Sequence, residues 1–249
     1  MKATERLEDP PHPGRLLTRR EALAMLGVSG AALLARAVPL QAQSSGGALP
    51  ACVVRPRQTE GPFFVDERLN RSDIRSDPRS GEVRPGVALR LAFRVSRLAG
   101  TACAPLAGAQ VDVWHCDAEG RYSDVRGFGA GTATTGQQFL RGYQLTDAAG
   151  TAQFLTVYPG WYGGRAVHVH FKIRTQDAAG RKYDFTSQLY FDEALTERVF
   201  AAEPYARRGG RWLRNAEDGI FRDGGRQLLL APERDAQGYA ATFDVGLRA

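Results

Sequence analysis

The sequence contains little histidine and little cysteine, and its basic residues form no cluster. Four histidines and three cysteines occur in 249 residues, and the cysteines form no Cys-x-x-Cys pair, which excludes a zinc-knuckle pattern. The formal net charge of +6 is spread over a chain that also carries 27 acidic residues, so the composition predicts no nucleic-acid partner. With 43% hydrophobic and 24% charged residues, the chain is long enough for one domain with a substantial core.

The first 42 residues have the pattern of an export signal rather than of a folded domain. Arg19 and Arg20 precede an apolar run of small residues, and Ala42 follows at a position typical of signal cleavage. Arg36 interrupts this run, which is already shorter than the roughly 20 residues that a membrane span needs. The pattern predicts a twin-arginine-type signal peptide over residues 1–42 and a periplasmic or secreted protein without stable membrane insertion after signal removal.

The three cysteines allow one disulfide if the protein is exported, because the compartment outside the cytoplasm is oxidising. Cys52 and Cys103 lie in loop or strand-end segments, and Cys116 lies nearer to the candidate site. We therefore predict a disulfide between Cys52 and Cys103 with Cys116 free, although the sequence leaves the other pairings open.

An irregular region precedes a series of short segments in which polar and apolar residues alternate. Residues 43–85 are rich in Pro, Gly and Asp and predict a linker followed by an irregular arm. Eight segments have the two-residue period of strands: 87–95, 109–117, 138–146, 151–159, 166–175, 182–191, 226–232 and 239–247. Only residues 192–201 favour a helix. The pattern predicts an all-β fold, a single antiparallel β-sandwich over residues 86–249 with long loops such as 124–138.

Two histidines, His168 and His170, are separated by one residue in a predicted strand. Side chains alternate on a strand, so both imidazoles lie on one face and can bind one metal ion, although two surface histidines would show the same spacing. His115 is the only other histidine of the predicted domain. It shares a strand face with two valines, which is typical of a hydrogen-bonded core residue. A zinc hydrolase site built from His115, His168, His170 and a water is one alternative, and a non-catalytic periplasmic β-sandwich binding module is another.

Four motifs together resemble the intradiol ring-cleavage dioxygenase family, especially its short exported members. The motifs are QTEGPFF from residue 58, VDVWHCDAEGRYSD from 111, YPGWYGGRAVHVHFK from 158 and SQLYF from 187. Each is weak alone, but they occur in the family's order. The resemblance implies a β-sandwich enzyme with a non-haem Fe(III) cofactor. Such an enzyme cleaves a small catechol-type substrate between its two hydroxyls with O2 and gives a muconate-type diacid.

The resemblance also implies which residues bind the metal. Tyr122, Tyr162, His168 and His170 match the two tyrosinates and two histidines that hold the ferric ion in the family. A cation lowers the pKa of a bound hydroxyl, so a phenol that normally titrates near about 10 can bind as a phenolate at neutral pH. Tyr158 remains a rival for Tyr162, although its position in the motif favours Tyr162.

Further residues match residues that act on the substrate in this family. The resemblance implies that Tyr162 leaves the metal when the substrate binds and helps to take up a proton. Arg165 matches an arginine that stabilises charge developing on the ring, and Gln188 matches a glutamine that orients the reacting species by a hydrogen bond. Pro62 and Phe63 match an arm segment that lines the substrate mouth.

The sequence departs from the well-known catechol and protocatechuate enzymes at two places. Only Gly163 and Gly164 separate Tyr162 from Arg165, so we expect a more open pocket whose specificity is not that of those enzymes. The helical N-terminal dimerisation segment of the catechol-type enzymes is also absent. Their oligomeric state therefore does not transfer, and a homo-oligomer is left open.

Overall fold

The computed structural model describes residues 53–99, 102–125, 134–177 and 179–249. The chain divides into two units, Met1–Gly47 and Ala48–Ala249, and all described residues belong to the second. The signal peptide predicted over residues 1–42 lies outside the described residues and stays a prediction. Within the described ranges, no helix combines the length and the apolar character that crossing a membrane would require.

The described residues form nine strands and two short α-helices, together with three 3-10 helices. The strands are β1 (Ala88–Ala99), β2 (Ala102–Pro105), β3 (Gln110–Trp114), β4 (Arg141–Leu145), β5 (Thr151–Val157), β6 (His168–Gln176), β7 (Lys182–Tyr190), β8 (Glu233–Asp235) and β9 (Gly238–Leu247). The helices are α1 (Glu193–Phe200) and α2 (Gly219–Arg222), with 3-10 helices at Ala206–Arg208, Asn215–Glu217 and Gly225–Leu228.

Two sheets pack face to face and confirm the predicted β-sandwich. One sheet has the order β2-β1-β9-β8, with β5 also paired to β1, and the other has the order β4-β3-β6-β7. Apolar side chains from both sheets meet in one core, where the ring of Phe171 on β6 lies 5.2 Å from Phe93 on β1 and 5.6 Å from Phe243 on β9. One pairing is parallel rather than antiparallel, because β9 returns beside β1 in the same direction.

The local predictions were right for most elements and wrong for one. Residues 226–232 are not a strand: the chain forms a 3-10 helix there, and only Leu229 pairs, through a single bridge to Tyr190. The two-residue period misled because Leu228 and Leu230 are buried on either side of exposed Leu229. The short strands β2 and β8 were missed, since mostly exposed edge strands carry no apolar alternation.

The predicted helix at 192–201 is confirmed, and its start is explained by its cap. Asp192 accepts hydrogen bonds from the amides of Ala194 and Leu195, which satisfies two donors that the first turn leaves free. Helix α2 was not predicted. It begins in the same way, with Asp218 accepting from the amides of Ile220 and Phe221.

The N-terminal arm, residues 53–87, packs along the outer face and edges of the second sheet. The amide of Gln58 donates to the carbonyl of Thr186 on β7, and Leu69 and Arg71 exchange backbone hydrogen bonds with Tyr143 on β4. The arm therefore spans the sheet from one edge strand to the other. The part of the outer face that carries the two histidines of β6 is buried.

The cysteine predictions are met as far as the described residues extend. Cys103 is disulfide-bonded, and Cys116 is free and buried. The predicted partner, Cys52, lies outside the described residues.

Candidate metal centre

Strand β6 begins at the histidine pair and holds both side chains under the arm. Val169 and Phe171 point into the core between the sheets, so His168 and His170 point to the opposite face. The two histidines are nevertheless only 2% and 1% exposed. A pair of surface histidines is therefore the wrong interpretation of this spacing.

The hydrogen bonds of His168 fix which ring nitrogen is free to bind a metal. Its Nδ1 lies 2.6 Å from the carbonyl oxygen of Ala166, an acceptor, so Nδ1 carries the proton and donates. The lone pair is then on Nε2. Second partners of this kind orient metal-binding histidines and set their tautomer.

Four side-chain atoms converge on one point at the outer face of the sheet. The Nε2 atom of His168 lies 3.3 Å from the hydroxyl of Tyr122, 3.2 Å from the hydroxyl of Tyr162 and 3.1 Å from Nε2 of His170. Two ligands bound to one metal at about 2.1 Å and at right angles to each other lie about 3.0 Å apart. The observed separations are those of donor atoms around a single ion.

Aromatic rings from the arm and from β3 pack against the candidate ligand rings. Phe63 of the arm stacks on Tyr122 at 4.3 Å between ring centroids and meets Tyr162 edge-on at 5.7 Å. Trp114 at the end of β3 stacks on His170 at 4.9 Å with only 8° between the ring planes. The sequence motif suggested Phe63. Trp114 was missed, although strand alternation places it opposite His115.

A buried arginine next to Tyr122 braces this arrangement. The Arg141 guanidinium donates to the hydroxyl and carbonyl of Ser123 and to the carbonyl of Phe63. Arg141 thus connects Ser123, which follows Tyr122 in the chain, to Phe63, which stacks on the Tyr122 ring. Burial lowers the pKa of Arg141 to about 10, so it remains charged at neutral pH.

Without a cation, all four groups are electrically neutral at neutral pH. Burial lowers the pKa of His168 to about 3 and that of His170 well below its usual value, so both imidazoles are neutral. Burial raises the pKa of Tyr162 to about 12 and that of Tyr122 well above its usual value. Two phenolates at this depth need a strongly positive partner, and a hard, highly charged ion such as ferric iron fits two oxygen and two nitrogen donors.

The alternative site at His115 does not form. Its Nδ1 lies 2.8 Å from the carbonyl of Cys116 and its Nε2 lies 2.6 Å from the hydroxyl of Thr156, so both ring nitrogens have protein partners. Burial lowers its pKa to about 4. In the part of the chain that the structure describes, no three His, Cys, Asp or Glu side chains come together as a metal site. The zinc hydrolase of three histidines is not favoured.

Tyr158 also lies elsewhere. Its hydroxyl is 2.7 Å from that of Thr196 on α1, and its ring packs against Phe191 at 4.4 Å. Of the two rival tyrosines, only Tyr162 places its hydroxyl among the other ligand atoms.

Arg165 and Gln188 form one hydrogen-bonded group beside the centre. The Nη2 atom of Arg165 donates to Oε1 of Gln188 at 2.5 Å, and Nε2 of Gln188 donates to the carbonyl of Thr59 in the arm. Arg165 lies close enough to Tyr162 to act on its pKa through charge and a hydrogen bond. The structure thus brings both predicted residues to the ligand cluster.

Asp218 positions Arg165, a role that no motif in the sequence indicates. One carboxylate oxygen accepts from Nε of Arg165 at 3.0 Å and from the amide of Ala166 at 2.9 Å, while the other caps α2. Burial alone would raise the pKa of Asp218, but the Ala166 amide and the Arg165 charge bring it below its usual value. The sequence DGIF indicates that Asp218 can cap a helix. It does not indicate the ion pair with Arg165, which lies 53 residues away in the chain.

We expect Asp218→Asn to lower turnover by about 10–100-fold, because a small displacement of a catalytic group has an effect of this size. The amide keeps the α2 cap but turns an NH2 group toward the two donors of Arg165 and Ala166. Loss of buried hydrogen bonds should also reduce the free energy of unfolding by about 1–3 kcal/mol. Steady-state kinetics and urea denaturation measure both effects.

Asp177→Asn is the matched control, because Asp177 also binds an arginine side chain and backbone amides, but on a distant turn. Equal activity of the two variants would show that Asp218 does not position Arg165.

Comparison with known proteins identifies the family. The family model described as Dioxygenase matches residues 59–208, which contain all four candidate ligand residues. The chain belongs to the dioxygenase family. This dioxygenase is similar to an intradiol ring-cleavage dioxygenase from Tetranychus urticae, with 28% identity and a TM-score of 0.67 over 78% of this chain and 94% of that one.

Two further relatives extend the comparison. The dioxygenase domain of a carbohydrate-binding fusion protein from Streptomyces sp. SirexAA-E is 31% identical, with a TM-score of 0.54 over 78% of this chain and 98% of that domain. A chlorocatechol 1,2-dioxygenase from Rhodococcus opacus is 28% identical over 53% of this chain and 54% of its own length. The chain spans about half the length of the curated relatives that it matches.

Proposed function

We propose that this dioxygenase is a non-haem Fe(III) enzyme that cleaves a catechol-type ring between its two hydroxyls, with O2, to give a muconate-type diacid. The observation that carries the proposal is the convergence of Tyr122, Tyr162, His168 and His170 on one point. The names of the relatives, which include chlorocatechol and catechol 1,2-dioxygenases, support the reaction class.

Each protein group has a definite task in such a reaction. Tyr122, Tyr162, His168 and His170 would hold a ferric ion, which would supply Lewis-acid activation of the catechol. The Tyr162 phenolate oxygen receives a proton as the substrate loses its own, since the pKa of this buried tyrosine is about 12 without a cation. The Arg165 guanidinium stabilises negative charge on the ring, and the arm and Phe63 exclude water.

The proposal is tested by the atom balance of the reaction. Catechol and one O2 contain all the atoms of the diacid, so no external reductant is required. With 18O2, both labelled atoms should appear in a single ring-opened diacid, and oxygen uptake should equal substrate loss. A product cleaved outside the two hydroxyls, or a requirement for a reductant, would rule out this reaction.

The Tyr162→Phe variant should retain its iron but have a lower kcat. Three ligand atoms remain, but the phenolate oxygen that accepts the proton is gone, and proton transfer of this kind contributes about 10²-fold or more to the rate. Iron content measured with kcat separates the two effects. A variant with normal kcat would remove Tyr162 from the proposed mechanism, and Tyr158→Phe is the control.

We also propose that the protein is exported by the twin-arginine route. The disulfide at Cys103 supports this, because such bonds persist in oxidising compartments. Arg19→Lys combined with Arg20→Lys should leave the protein in the cytoplasmic fraction, whereas unchanged fractionation would contradict the proposal.

A further inference from the structure

A pocket lies beside Tyr162, one of the four candidate metal ligands. It has a volume of about 310 Å³, and Tyr162 belongs both to its wall and to the ligand cluster. A cavity of about 150 Å³ is sufficient for one benzene ring. The volume of the pocket is therefore that of roughly two such rings.

Two tryptophans form aromatic walls of this pocket, and each is held by an arginine. The guanidinium of Arg208 lies 4.1 Å from the ring centroid of Trp161, and that of Arg214 lies 4.3 Å from the ring centroid of Trp212. Cation–π contacts fix the orientation of an indole ring. The remaining ring surfaces form a rigid lining that suits a flat apolar group.

The two charged side chains that line the pocket are paired with each other. Arg211, the only cationic side chain among the described lining residues, lies 2.5 Å from Glu217, which also lines the pocket. Arg165, farther in, is paired with Asp218 at 3.0 Å. A carboxylate on the substrate would find no unpaired cation among these residues and would face the charge of Glu217.

We propose that the preferred substrates are catechols that carry a second, uncharged aromatic ring, which binds between Trp161 and Trp212. This inference rests on the proposed catechol cleavage. It specifies the substrate class that the aromatic pocket accepts, and carboxylated catechols do not belong to that class.

The variant Gly163→Leu tests the pocket without disturbing the core. A Cβ built on Gly163 meets nothing within 4 Å, and Gly163 has no positive φ that would demand glycine, in contrast to Gly164 at +84°. A leucine there should fill the mouth of the pocket. Val83→Ala is the control, since Val83 is exposed on the arm and lines neither the pocket nor the metal site.

The experiment compares kcat/KM for 3,4-dihydroxybiphenyl, catechol and 3,4-dihydroxybenzoate. We expect the biphenyl diol to exceed catechol by about tenfold or more, as hydrophobic pockets discriminate on this scale, and the benzoate to fall below catechol. Gly163→Leu should lower the ratio of biphenyl diol to catechol by about tenfold, and Val83→Ala should leave it unchanged. A benzoate or a catechol that reacts as well as the biphenyl diol, or an unchanged ratio in Gly163→Leu, would overturn the inference.

A binding measurement separates this inference from the proposed function. Biphenyl-4-ol has only one hydroxyl, so it cannot bind a metal through two oxygens, and its binding is followed by tryptophan fluorescence. If no diol is cleaved, the proposed function fails, and this titration still decides the pocket. Binding that weakens about tenfold in Gly163→Leu supports the aromatic pocket, and equal binding in both proteins refutes it.

Discussion

Replacing His168 with alanine will remove the metal and abolish turnover. The Nε2 atom of His168 lies within 3.3 Å of all three other ligand atoms, so it is the shared centre of the cluster. Groups that merely orient a metal ligand change metal affinity by about 10–100-fold, and loss of the ligand itself should have a larger effect. Iron per chain, measured by elemental analysis after purification, should fall to about a tenth or less of the normal value.

The matched control is His115→Gln, which removes another buried histidine of the same domain. Both ring nitrogens of His115 have protein partners, so this variant should lose stability but keep its iron. A His168→Ala protein with full iron content would refute the ligand assignment. Loss of iron in His115→Gln with retention in His168→Ala would favour a different metal site.

Replacing Arg165 with methionine will slow turnover by about 10²–10³-fold, the usual effect of removing one group that stabilises transition-state charge. Methionine fills a similar volume without the guanidinium. Iron content should not change, because Arg165 supplies no ligand atom. The loss should appear in kcat, measured at saturating catechol.

Two further variants decide between a direct and a structural role of Arg165. Arg165→Lys keeps the charge and should recover part of kcat, whereas a role limited to packing would give no recovery. Arg181→Met removes an arginine that is 80% exposed and should leave kcat unchanged. A kcat of Arg165→Met within about threefold of normal would contradict the stabilising role.

The sandwich could be predicted because its strands carry a local signal. Alternating apolar residues mark β1, β3 and β6, whose inner faces meet in the core. The parallel return of β9 beside β1 depends on contacts between residues about 150 positions apart, and no local pattern encodes it. In the segment 226–232 the local pattern was misleading. Its leucines are alternately buried and exposed, as in a strand, but the segment forms no ladder of strand hydrogen bonds.

The candidate site also has features that the local sequence predicts and features that depend on long-range packing. The spacing of His168 and His170 was enough to predict a shared face, whereas their burial depends on the arm. Arg165 and Gln188 were suggested by motif, and the structure joins them by a hydrogen bond. Asp218 and Trp114 were missed because their roles arise only from long-range packing.

The most direct test of the account is the visible absorption spectrum of the mature protein, with iron and zinc measured on the same sample, before and after anaerobic addition of catechol. Phenolate-bound ferric iron absorbs visible light, so the account predicts a red-brown protein with stoichiometric iron, whose absorption band shifts when catechol is added. A protein that stays colourless after reconstitution with ferric iron would contradict the proposed centre of Tyr122, Tyr162, His168 and His170.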